Sequence, residues 1–87
     1  MGGSKVNSQV IVLDINKNRK VNECNVSEVF IKNTGNTAFY FMSLKIVPNE
    51  SHYIALNAVI DLDTDLSFLP EGTNPKAYVR YVKHLTH

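Results

Sequence analysis

Residues 29–41, VFIKNTGNTAFYF, set two apolar runs on either side of a short polar knot, Asn33-Thr34-Gly35-Asn36. How the chain turns there decides the fold. If it closes a hairpin through a two- or four-residue loop, Lys32 faces Thr37 and Phe30 faces Phe39. Phe30, Phe39 and Phe41 then form one aromatic face, with Glu28 and Lys32 at its margin. If the chain arches between two sheets instead, Phe30 and Phe39 separate. Thr34-Gly35 lacks the Asn-Gly or Asp-Gly signature of the tightest hairpins. Gly35 is expected to supply a positive φ, and Asn33 and Asn36 tolerate one. These residues announce a turn without selecting its type.

Period-2 alternation marks strands on both sides of the knot. Residues 6–15 (VNSQVIVLDI) are rich in valine and isoleucine and stop at the turn-forming Asn16-Lys17-Asn18, with Ile11, Leu13 and Ile15 as the apolar face. Residues 26–32 set Val29 and Ile31 against Glu28, Phe30 and Lys32. Residues 37–47 are apolar on both sides, as expected of a strand covered on both faces. After Pro48 a helix capped by Ser51 is conceivable, since Leu56, Val59 and Ile60 have helical spacing. The unbroken set Ile54, Leu56, Ala58, Ile60 and Leu62 favours a strand. Residues 66–69 are a short further candidate, residues 70–76 (PEGTNPK) a loop, and residues 77–85 the last strand. Five strands, a doubtful sixth and no helix predict an all-β fold, either a small sandwich or a five-strand barrel.

A chain of 87 residues fits one domain with a modest core. Its 44% hydrophobic and 20% charged residues exclude a disordered polymer, and a net charge of +1 gives no general attraction to nucleic acid or anionic membrane. The start, MGGSKVNSQ, has no apolar core of a signal peptide, so none is expected. The longest nearly apolar stretch, residues 37–47, is far short of the roughly 20 residues that span a bilayer. Cys24, the only cysteine, is expected to be a buried, inert thiol near the start of the second strand. Asn25-Val26-Ser27 and Asn49-Glu50-Ser51 match the N-glycosylation pattern, but chance alone yields about one such match in a chain so rich in Asn, Ser and Thr.

Lys20-Val21-Asn22-Glu23, followed by residues 29–38, resembles the second strand and following turn of immunoglobulin-like CARDB-type adhesion modules of bacterial and archaeal surfaces. Their recurring phrase is a K-V-G-E turn and then an alternating strand ending V-K-N-T-G-N. The match covers about a quarter of the chain, with Asn22 where the family favours glycine. Residues 69–73 and 77–80 resemble the L-x-P-G-T-x-Y-x-V run of fibronectin type III domains, with Asn74-Pro75-Lys76 inserted and the alternation out of step. The resemblance implies an immunoglobulin-like β-sandwich of five to seven strands, an extracellular or surface location, and a knot that arches between sheets. A structural crossover is then favoured over a binding loop, because turn residues serve the backbone first.

Candidates for chemistry are few. Asp61, Asp63 and Asp65 place three carboxylates at period 2, the best calcium candidate in the chain, but Leu66 and Gly72 stand where an EF-hand loop needs glycine and glutamate. His84 and His87 point to opposite faces of a strand, which suits no zinc site, and His52 is isolated. No nucleophile–base–acid signature and no glycine-rich phosphate loop is present. These features predict a non-enzymatic structural or adhesive module without a cofactor, partnered by protein subunits in a homo-oligomer or polymer. Two surfaces offer themselves: the aromatic face of Phe30, Phe39 and Phe41, and the strand edge of Val10, Ile11, Val12 and Leu13. The immunoglobulin-like fold implies about seven strands against the five or six found, which leaves an edge open for pairing. The alternative is a single-stranded nucleic-acid-binding barrel that stacks bases on the last strand, where Tyr78 and Arg80 share one face and Tyr81 and Lys83 the other. The near-neutral charge weighs against nucleic acid as a partner.

Overall fold

The computed structural model describes residues 8–85. They form six strands and no helix: β1 (Ser8–Ile15), β2 (Arg19–Asn33), β3 (Phe39–Phe41), β4 (Leu44–Ile46), β5 (Ser51–Phe68) and β6 (Ala77–His84). The fold is all-β, as the alternation predicts. All pairings are antiparallel, in the order β1-β6-β2-β5-β3-β4.

β2 and β5 are too long to be straight. The 15 residues of β2, fully extended, would hold Arg19 and Asn33 about 46 Å apart. Yet Phe39 pairs with Phe68, two residues beyond the Leu66 that pairs with Arg19. Only residues 34–38 join Asn33 to Phe39, a reach of about 20 Å. The β2–β5 ribbon must therefore double back on itself. It bends at two bulges: Cys24 and Asn25 oppose the single Asp61, and residues 56–59 of β5 oppose the single Ser27. Asn25 (φ 63°) and Asn57 (φ 56°) adopt the left-handed conformation at these corners, which asparagine tolerates better than most residues.

Counted by halves, the strands make two sheets of four segments each. One runs β1, β6, the second half of β2 and the first half of β5. The other runs the first half of β2, the second half of β5, β3 and β4. This is the double Greek-key winding of a jelly roll, a β-sandwich. The strand order differs from the immunoglobulin arrangement that the resemblance implies. Residues 69–76 carry the chain across to the opposite sheet, so β6 lies between β1 and β2 and not beside the strand that precedes it.

The inward faces meet in one cluster. Ile15, Val26, Val29, Ile31, Ala77, Val79 and Tyr81 come from the first sheet; Val21, Phe39, Phe41, Ile46, Leu62 and Leu66 come from the second. Each fully buried aliphatic or phenyl group contributes about 1.5–3 kcal/mol relative to exposure. The Phe39 and Phe68 rings pack edge to face, 5.4 Å between centroids.

The knot at residues 33–36 is an arch. β2 and β3 do not pair, and the crossings at residues 16–18, 34–38, 47–50 and 69–76 gather at one end of the sandwich. Two asparagines hold them together. Asn33, fully buried, donates from Nδ2 to the carbonyls of Thr37 (2.8 Å) and Ile46 (3.0 Å), and its Oδ1 accepts from Gly35 N–H (3.0 Å). Asn36 Oδ1 accepts from the N–H groups of Thr73 (3.1 Å) and Asn74 (2.7 Å). Gly35 does not have the positive φ expected of it; that conformation belongs to Gly72 (φ 95°). Gly35 is needed for space, because a Cβ there would collide with the Asn74 carbonyl oxygen and lie 2.7 Å from Lys76 N.

Other boundaries also differ from expectation. β2 begins at Arg19, seven residues before the predicted start, because its bulges interrupt the alternation. Residues 37–47 are two short strands joined at Met42 (φ 52°) and Ser43 (φ 66°), the two left-handed positions of a tight hairpin turn. Residues 66–69 are no separate strand, since β5 runs unbroken to Phe68. Val6 and His87 lie outside the described residues.

Candidate functional site

The outward face of the first sheet carries exposed apolar side chains beside an open strand edge. Cross-strand pairing lays its side chains in rows: Val10, Val82, Glu28 and Ala55; then Val12, Arg80, Phe30 and Tyr53; then Asp14, Tyr78, Lys32 and Ser51. Val10 is 60%, Val12 49% and Tyr53 59% exposed. At the centre, the Arg80 guanidinium lies 5.0 Å from the Phe30 ring centroid, and Tyr78 meets Phe30 edge-on at 6.1 Å. The cation–π contact holds the Arg80 guanidinium over the Phe30 ring. The Glu28 carboxylate, as hydrogen-bond acceptor, raises the pKa of the Tyr53 hydroxyl. Arg80 and Lys32 are offset by Glu28 and Asp14, so the face carries no net charge. The outer face of the second sheet is polar by contrast, with Lys20, Asn22, Asp63, Asp65 and Tyr40 on it.

This apolar face runs to the edge at β1, which among the described residues pairs on one side only, with β6. Natural edges are blunted by brevity, charge, proline or a bulge. β4 is three residues long and carries Lys45, and the free flank of β5 is broken by the bulge at residues 56–59. β1 has none of these devices before Asp14, at its far end. It is eight residues long, keeps unbroken register with β6, and has no charged residue from Ser8 to Leu13.

The predicted site residues are divided by the fold. Val10, Ile11, Val12 and Leu13 do lie on this edge, Val10 and Val12 outward, Ile11 and Leu13 against the core. The shared aromatic face does not exist: Phe39 and Phe41 are fully buried, and only Phe30 faces outward. The arch sends Phe30 and Phe39 to different sheets with opposite orientation toward the core. Asp61, Asp63 and Asp65 point outward along β5, successive members about 6.6 Å apart, too far to converge on one cation at 2.3–2.6 Å. Asp63 pairs instead with Lys20 at 3.5 Å. Among the described residues no cluster of three potential ligands has formed.

Cys24 is exposed and not buried, because the bulge leaves it on the solvent side of β2 while Val26 takes the inward position. A thiol reagent is expected to modify it stoichiometrically within minutes in the native protein; protection until unfolding would show that the bulge is closed.

On the opposite face of β6, Tyr81 and Lys83 are engaged internally. Tyr81 O–H donates to Glu23 Oε2 (3.0 Å) and Lys83 Nζ to Oε1 (2.8 Å). These bonds, Lys83's first, hold the Glu23 carboxyl below its usual range. Burial and then the carboxylate push Tyr81 up to about 12. His84 Nε2 lies 2.8 Å from Ser27 Oγ, and hydrogen bonds among the described residues bring no carboxylate to that imidazole. A shallow cleft of about 200 Å³ at the crossing end, lined by Asp14, Ile15, Asn16, Thr34, Lys76 and Ala77, holds no histidine, cysteine or serine.

Sequence reasoning missed Tyr53 and the Asn33–Asn36 pair. Tyr53 was legible as the outward partner of an alternating strand; the asparagine roles depend on loops distant in sequence. No helix among the described residues is long and apolar enough to cross a membrane. Neither a family model, nor a curated protein, nor a solved structure matches this chain.

Proposed function

We propose that the chain is a non-enzymatic structural module that assembles with protein subunits through the β1 edge and the outer face beside it. The observation that carries this reading is the β1 edge, uncharged from Ser8 to Leu13 and continuous with the outward-facing Val10, Val12, Phe30 and Tyr53. An open edge offers a row of backbone donors and acceptors, and the valines beside it offer cross-strand contacts to an added strand. The nucleic-acid alternative has less support, since Tyr81 and Lys83 are committed to Glu23 and the outer face is electrically balanced.

Light scattering between about 10 µM and about 1 mM tests the reading. The native chain is expected to exceed the mass of one chain as concentration rises. Val12→Lys is expected to remain a single chain, because lysine at an edge opposes pairing. Its melting temperature should change little, as Val12 is half exposed. A native chain that stays monomeric at the highest concentration would overturn the proposal.

A further inference from the structure

We infer that the partner at this edge is a second copy of the same chain, joined by antiparallel pairing of β1 with β1 about a two-fold axis at Ile11. The inference rests on the interaction reading above and adds the partner, the register and the symmetry.

The first argument is geometric. A two-fold axis perpendicular to the sheet is the operation that joins β1 to itself while keeping core-facing residues with core-facing residues and outward residues with outward ones. The pairing is then antiparallel and isologous, so it closes at two chains and does not propagate. The outer faces merge into one eight-stranded surface.

The second argument is the chemistry of β1 read against itself. With the axis at Ile11, Ile11 meets Ile11, Val10 meets Val12, Gln9 meets Leu13 and Ser8 meets Asp14. The strand is used from Ser8 to Asp14. Valines lie opposite valines outside, and the one carboxylate at each end finds a hydroxyl donor. Moving the axis to Val12 would set Asp14 against Val10 twice, placing two carboxylates against apolar groups. Moving it to Val10 would pair only Ser8 to Val12 among the described residues. The chemistry of SQVIVLD is therefore self-complementary about its central isoleucine.

Cysteine pairing tests the register. In a Cys24→Ser background, which removes the exposed native thiol, chains bearing Val10→Cys and Val12→Cys are oxidised mildly, each alone and mixed one to one. The directly opposed pair has Cβ atoms about 4.5–5.5 Å apart, near disulfide reach, whereas like positions sit on the diagonal at about 7–8 Å. The mixture is expected to form cross-linked dimer roughly tenfold faster than either chain alone. Equal rates in all three samples, or faster reaction of either variant alone, would overturn the inference. So would absence of cross-linking while the native chain still exceeds one chain in mass, and in that outcome the interaction reading survives. A native monomer removes both.

Discussion

Replacing Asn33 with alanine is expected to lower the melting temperature by roughly 15 °C, corresponding to about 3 kcal/mol for a domain of this size. The residue is fully buried, and its amide closes three hydrogen bonds at once. Alanine leaves the Thr37 and Ile46 carbonyls without these donors and Gly35 N–H without its acceptor. Each stranded group costs about 1–3 kcal/mol where water cannot replace the lost partner, and partial relaxation brings the sum down to the figure above. Aspartate, though nearly the same shape, is expected to be at least as damaging. It keeps the acceptor toward Gly35 but turns a second acceptor toward two carbonyls. Thermal denaturation of the two variants measures this directly. A loss below about 3 °C for alanine would show that water or a shifted loop can take over the junction.

Gly35→Ala is expected to cost about 2–4 kcal/mol, read as a lowered denaturant midpoint at unchanged slope. Removing a glycine from a loop normally stabilises by about 0.4–1 kcal/mol through the unfolded chain. Here the opposing term is larger. The new methyl would overlap the Asn74 carbonyl oxygen and crowd Lys76 N, both backbone atoms that cannot rotate away. Relief requires residues 74–76 to withdraw, which breaks Asn36 N–H to Asn74 O (3.0 Å) and Thr34 N–H to Lys76 O (3.2 Å). Because the same segment carries the chain from β5 into β6, its displacement also loosens the central strand of the first sheet. A neutral or stabilised Gly35→Ala variant would mean that the two loops do not approach this closely.

The candidate surface was half legible in advance. The charge-free run Val10–Leu13 shows that the first strand is a poor match for solvent, but nothing local says that it ends up at a sheet edge. That depends on β6, some seventy residues later, taking the position beside it. Phe30 faces outward while Phe39 and Phe41 are buried, because their shared face requires a hairpin that the fold does not make.

Alternation by itself determined the all-β class, the cores of β1 and β6, and the inward set Val29 and Ile31, because the pleat sends successive side chains to opposite faces wherever a strand is regular. Tertiary structure alone decided where that rule is suspended. The bulges at Cys24-Asn25 and Ser27 each shift the inward parity of β2 by one residue, so Val26 is buried and Cys24 exposed where the alternation read from sequence only begins the strand. The split of residues 37–47 into two strands has the same origin. Met42 and Ser43 take left-handed conformations that neither favours, while Phe41 and Ile46 on either side of the turn are buried and Met42 N–H bonds Thr64 Oγ1. Bulges, sheet crossings and the choice of edge strand are set by partners distant along the chain, and a period read within one segment carries no trace of them.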